Sequence, residues 1–184
     1  APCQCEHTQP GVTDASPALA SVSGGGLCGR VRYEATPDHR EGYYCHCRMC
    51  QLAFGNTRAS YLNLRKAEVR WTAEPPAYYQ SSKLAQRGFC SHCGTPLSFE
   101  FLGSERMDLS IGSLDDPAAF QPVSHFAVES RIANWHAQDD LPEQRLDASE
   151  AIMKRWREAY GDDVQPGIAA VQAVAQAAPK ADAG

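Results

Sequence analysis

From Val31 to about Val128, apolar and polar positions alternate in short runs broken by turn residues. Val31, Tyr33 and Ala35 alternate with polar neighbours, as do Leu97, Phe99 and Phe101, and again Met107, Leu109 and Ile111. A period of two buries one face of an extended strand and wets the other. Residues 58–64, 69–73 and 77–82 carry the aromatic and branched side chains that strands favour, and Pro75-Pro76 marks a turn between two of them. No strand–helix–strand rhythm interrupts this pattern, so it predicts a mainly β, antiparallel domain over residues 26–146.

One helix is predicted over residues 147–161. Ile152, Met153, Trp156 and Tyr160 form a single apolar stripe at helical spacing. Asp147 can cap its start, with Glu150 three residues later, and Gly161 can end it. Such a stripe predicts a helix packed on the sheet. Beyond it, residues 162–184 form an alanine-rich tail, read as a frayed helix or disordered chain. Residues 1–25 are rich in Ser, Pro, Gly and Ala and run into Gly24-Gly25-Gly26, which predicts a flexible arm.

Composition narrows the partners. Of 184 residues, 43% are hydrophobic and 21% charged, an ordinary globular balance. No run approaches the ~18 consecutive apolar residues of a membrane span, so no membrane partner is expected. No basic segment followed by an apolar run opens the sequence, and a cytoplasmic setting is the expectation. The net charge of −5 is scattered and supplies no basic face for phosphates, so no nucleic-acid partner is expected either.

Eight cysteines carry the chemistry, as Cys3-x-Cys5, Cys28, Cys45-x-Cys47-x-x-Cys50 and Cys90-x-x-Cys93. Disulfides are one reading, suited to short secreted chains. The tight spacings aim several sulfurs at one spot, which suits a metal better. Three thiolates within Cys45, Cys47 and Cys50 can share one zinc ion and leave a tetrahedral position free for water or substrate. His46, between two of these ligands, would point away from an ion that both bind. Arg48 either meets an anionic substrate or is solvated. Cys90-x-x-Cys93-Gly94 reads as a zinc-knuckle turn or as a redox pair, although no thioredoxin-like pattern accompanies it. Two knuckle ligands need partners from elsewhere, and Cys28 is the natural one; His92, inside the knuckle, is expected to be exposed.

These residues resemble the glutathione-dependent formaldehyde-activating enzyme family, which also includes centromere protein V. The matching segments are Leu27-Cys28-Gly29-Arg30-Val31-Arg32-Tyr33, Cys45-His46-Cys47-Arg48-Met49-Cys50 and Arg87-Gly88-Phe89-Cys90-Ser91-His92-Cys93-Gly94-Thr95-Pro96-Leu97. Gly112-Ser113-Leu114-Asp115-Asp116-Pro117 follows, then Glu129-Ser130-Arg131 through Trp135 to Leu141-Pro142. The resemblance implies several coiled β-sheets holding two zinc ions. It implies a structural ion at Cys28, Cys90 and Cys93, and a catalytic ion at Cys45, Cys47 and Cys50. The sequence departs from the family at Gly26-Leu27-Cys28, where a first C-x-C ligand is replaced by glycine. Cys3 or Cys5 could supply the missing sulfur, since some twenty intervening residues reach far enough at ~3.3 Å each. Alternatively the arm is free, and water or His92 fills the place.

The activity implied is that of a carbon–sulfur lyase of the S-(hydroxymethyl)glutathione synthase type. A small-molecule thiol, with glutathione as the implied partner, adds to formaldehyde or a related electrophile. Arg48, Arg58 or Arg87 could seat the carboxylates, and no general base is identifiable from sequence. Two competing readings are a non-catalytic zinc-binding interaction module and a redox dithiol protein using Cys90 and Cys93.

Overall fold

In the computed structural model, which describes residues 19–136 and 138–162, the alternation resolves into eleven strands and two α-helices. The first half holds β1 (Val22–Gly25), β2 (Arg32–Ala35), β3 (Glu41–Cys45), α1 (Arg48–Phe54), β4 (Ala59–Arg65), β5 (Val69–Trp71) and β6 (Ala77–Tyr79). The second holds β7 (Ala85–Phe89), β8 (Pro96–Phe101), β9 (Arg106–Ser110), β10 (Gln121–Phe126), β11 (Glu143–Gln144) and α2 (Glu150–Tyr160). A three-stranded sheet has the order β1-β2-β5, and an eight-stranded sheet the order β11-β10-β3-β4-β9-β8-β7-β6. No helix among the described residues is long and apolar enough to cross a membrane.

Strand β4 links fold to site, because both its faces are buried. Leu62 and Leu64 point into a core shared by the two sheets, with Val31, Tyr33, Leu97 and Leu109. Ala59 and Tyr61, of opposite parity, point the other way into a second cluster with Cys45 and Cys50. The strand therefore carries the main core on one side and presses against the cysteines on the other.

Four features differ from the sequence expectation. The sheet is not wholly antiparallel: β10 runs parallel to both β3 and β11. It joins β3 only after the long excursion through β4 to β9, and a connection of that length can return a strand in the same direction. Segment 48–54 is a second helix, where the sequence predicts only the one over 147–161. Cys47 stands at its N-cap, accepting from the Cys50 amide at 3.3 Å, and Gly55 ends it in the left-handed region at φ 58°. The start was invisible because cysteine is not among the usual capping residues.

Helix α2 begins after Ser149, not at Asp147, whose carboxylate instead pairs with Arg145 at 2.6 Å. Gly161 does end it, its amide donating to the Arg157 carbonyl at 2.8 Å. Finally, β1 occupies the last residues assigned to the arm. Its register pairs Gly24 with Tyr33, and Gly24, Gly25 and Gly26 are all buried. A Cβ on Gly24 would run into the Tyr33 hydroxyl and the Ser113 carbonyl, so the glycine run marks close packing rather than flexibility.

This reading is tested by Gly24→Ala. In a flexible arm the change would be neutral or stabilising by ~0.4–1 kcal/mol, through the unfolded chain. In β1 it should destabilise by about 1–3 kcal/mol, as overpacking does, measured as a lowered urea midpoint at unchanged slope.

Candidate functional site

The Cys45/Cys47/Cys50 group is built by the junction of β3 and α1. Cys45 ends the strand, Cys47 caps the helix, and Cys50 sits in its first turn. One sulfur from each lies within 4.8 Å of the others, and the three could hold a metal ion. Cys45 and Cys50 are both 4% exposed. On a tetrahedral zinc with Zn–S bonds of ~2.3 Å, sulfurs stand roughly 3.8 Å apart, so the cluster is of the right size.

The surrounding charges fit as well. Arg87, on β7, donates from Nη2 to the Cys50 sulfur at 3.4 Å and from Nη1 to the Tyr61 hydroxyl at 2.9 Å. Its guanidinium also lies over the Phe99 ring, 4.8 Å from the centroid. The Tyr61 hydroxyl donates in turn to the Cys50 sulfur at 3.7 Å. Thiol hydrogen bonds from Cys45 and Cys47, with Arg87 beside them, hold the Cys50 thiol well below its usual range. Hydrogen bonding and burial push Cys45 up. With three thiolates on a divalent cation the net charge is −1, and Arg87 is the buried cation that balances it.

Two cavities meet here. A cavity of about 110 Å³ is lined by all three cysteines, Tyr61, Arg87 and Asp108, and is covered by Leu146, Ile152 and Trp156 from the C-terminal segment. A larger one of about 540 Å³ shares Met49 and Arg87 with it and is walled mainly by apolar groups, including Leu52, Phe54, Phe89 and Pro96. Asp108 was not singled out from sequence, because the polar position of Met107-Asp108-Leu109 reads as a wetted face. Here it is 6% exposed and accepts from Asn63 Nδ2 at 2.9 Å. Burial pushes its carboxyl up to about 6, against the opposing hydrogen bonds of Asn63 and Tyr43. Of the three arginines considered for an anionic substrate, only Arg87 lines these cavities. Arg48 donates to Gln51 Oε1 at 3.1 Å, and Arg58 lies 3.9 Å from the Tyr44 ring centroid.

The second group brings Cys28, from the turn after β1, to the Cys90–Cys93 knuckle. Cys28 and Cys90 sulfurs are 3.6 Å apart, and the three sulfurs could hold a metal ion. Gly94 takes the left-handed φ of 75°, and its amide donates to the Cys90 carbonyl at 2.8 Å. His92 points out of the knuckle to Glu74 at 2.9 Å, leaving the ligand set to sulfur. Gly26 stands beside the group: a Cβ there would lie 3.3 Å from the Cys90 sulfur and 3.4 Å from that of Cys93. Gly26, where the resemblance implies a ligand, is therefore adjacent to the sulfurs of Cys90 and Cys93. Cys3 and Cys5 lie outside the described residues.

His46 turns away from the cysteines on either side, as expected from the alternation, into a group with the buried His125 and the half-buried His136 that sequence reading missed. Burial, with Arg131 next in effect, holds the His46 imidazole down to about 4.

The chain is mainly β and carries two groups of free cysteines, each able to hold a metal ion and one of them beside a cavity. Residues 21–130 match the model of the family described as glutathione-dependent formaldehyde-activating enzyme, and the chain belongs to that family. Helix α2, which roofs the smaller cavity, lies outside the matched span. No curated protein matches the chain. Among solved structures, the crystal structure of a Rhodobacter sphaeroides protein, Northeast Structural Genomics target RhR83, is 23% identical. That match covers 50% of this chain and 87% of the other, with a TM-score of 0.44.

The place of Gly26 generates a prediction. Gly26→Cys should bring a fourth sulfur to Cys28, Cys90 and Cys93, slowing zinc loss to a chelator and raising the melting temperature. Deletion of residues 1–18 should speed zinc loss if Cys3 or Cys5 completes the site, and Gly26→Cys should then reverse the deletion. A lower melting temperature with no gain in zinc retention would show that the added Cβ, 3.0 Å from Cys90 Cβ, only crowds the knuckle.

Proposed function

We propose that the chain promotes addition of a thiol, with glutathione the substrate its family points to, to formaldehyde in the cavity beside Cys45, Cys47 and Cys50. The observation that carries this reading is that the trio opens on a cavity also lined by a buried arginine and a buried carboxyl. Cys45, Cys47 and Cys50 would hold a zinc ion, which supplies Lewis-acid stabilisation of a thiolate at neutral pH.

The addition is simple in its balance. The sulfur forms a bond to the formaldehyde carbon, the C=O π bond opens onto oxygen, and the thiol proton is transferred to that oxygen, giving RS–CH2–OH. The chain's own groups orient and shield. Arg87 offsets negative charge at Cys50, while Tyr61 fixes the Cys50 sulfur by a hydrogen bond. Asp108 is the carboxylate within the cavity and takes the thiol proton on its side-chain oxygen before returning it to the new hydroxyl. Leu146, Ile152 and Trp156 present apolar side chains to the same cavity. The apolar cavity of about 540 Å³ falls in the ~300–1,000 Å³ range of small-molecule sites and receives the body of the thiol.

Exchange NMR between labelled formaldehyde and its glutathione adduct tests the proposal. The full-length, zinc-loaded chain should raise the exchange rate above the uncatalysed one. The enzyme-dependent part should rise with pH through about 6, as the Asp108 carboxyl ionises and becomes able to accept a proton. Asp108→Asn should lose that limb and about 10²-fold of the acceleration, a loss typical of a removed acid–base group. Exchange no faster than in protein-free buffer overturns the reading.

A further inference from the structure

On the opposite side of Cys45 and Cys47 from their sulfurs lies a cluster the thiol chemistry does not use. His46 is 2% exposed and His125 fully buried at 0%, with His136 closing the group. One ring nitrogen from each lies within 4.8 Å of the other two. The three come from separate places: His46 follows β3, His125 belongs to the adjacent parallel strand β10, and His136 follows Trp135. The parallel pairing sets His125 opposite Tyr44, and the His46 amide donates to the Phe126 carbonyl at 2.9 Å, which fixes both rings on one patch of sheet.

From these positions we infer a third metal site, for a divalent transition ion such as zinc or cobalt, ligated by the imidazoles of His46, His125 and His136. Two observations converge on it. His125 has its far nitrogen held from outside: Nε2 donates to the Asp139 carboxylate at 2.9 and 3.0 Å. A carboxylate only accepts, so a neutral His125 keeps its lone pair on Nδ1, turned inward. A metal-bound histidine is oriented by a carboxylate in just this manner. The other observation is His136 Nδ1, which is buried and has no hydrogen-bond partner. Such an orphan costs ~1–3 kcal/mol, and an ion supplies the missing partner for the cluster.

Without the ion, His46 Nε2 donates to His125 Nδ1 at 2.8 Å. Binding requires His46 to shift its proton to Nδ1. It also requires the pair to separate by about 0.5 Å, to the ~3.3 Å between two nitrogens on a tetrahedral ion with bonds of ~2.0–2.1 Å. Nearby charge is mixed: Arg131 and Arg58 bring positive charge toward the imidazoles, while Glu143 lies 2.5 Å from Arg131 and Asp139 supplies the outer anion. An all-imidazole set selects borderline ions over calcium or magnesium, and sulfur from the neighbouring cysteines points elsewhere.

The test uses the full-length chain with its thiolate sites zinc-filled, dialysed against cobalt(II) alone. One further equivalent of cobalt should bind, with visible d–d absorption but without the sulfur-to-cobalt charge-transfer band in the near ultraviolet. His136→Ala should lose this equivalent, and Asp139→Asn should weaken it by ~10–100-fold, the usual effect of removing a ligand's orienting partner. Both variants should keep their two zinc ions, which shows that they fold. No additional cobalt, cobalt entering only with the sulfur band, or binding unchanged in both variants overturns the site.

Discussion

Three sulfurs packed within 4.8 Å of one another, two of them on buried residues, set the terms for the rest of this molecule. At an effective dielectric constant of about 20, two unit charges 4 Å apart repel by about 4 kcal/mol, so three thiolates cannot coexist there alone. The other thiols and Arg87 hold the Cys50 thiol well below its usual range. A divalent cation lifts that restriction, and Arg87 then balances the remaining charge. The eight-stranded sheet provides the frame, since β3 delivers Cys45, β4 delivers Tyr61 and β7 delivers Arg87. Burial of both faces of β4 makes the main core and the site parts of one packing problem.

The second cysteine group ties different pieces together. Cys28 follows the strand that opens the small sheet, while Cys90 and Cys93 follow β7 of the large one. Sulfur contacts across that gap join the sheets at the end away from β11. Close backbone approach at Gly24 and Gly26 is part of the same junction, where side chains would meet Tyr33 or the knuckle sulfurs.

What could be read in advance follows from how local each signal is. The strand alternation of Met107-Asp108-Leu109 and the spacing of Cys45, Cys47 and Cys50 are encoded within a few residues, and both were legible. Helix α1 escaped notice because its cap is a cysteine, and the role of Asp108 because a polar residue in an alternating strand normally faces water. Asp108 is held instead by Asn63 and Tyr43, on β4 and β3 and far from it in the chain. The partnership of His46 with His125 and His136 depends on the parallel pairing of β3 and β10, which no local pattern announces. Gly24-Gly25-Gly26 misled for the converse reason: glycine marks both flexible linkers and tight contacts, and only the tertiary neighbours decide between them.

The account stands on sulfur-bound metal at the two cysteine groups. X-ray absorption at the zinc edge, on full-length protein purified without chelator, tests this most directly. The account predicts a nearest-neighbour shell dominated by sulfur at ~2.3 Å. Protein that carries no zinc, or zinc surrounded only by nitrogen and oxygen at ~2.0–2.1 Å, would contradict it.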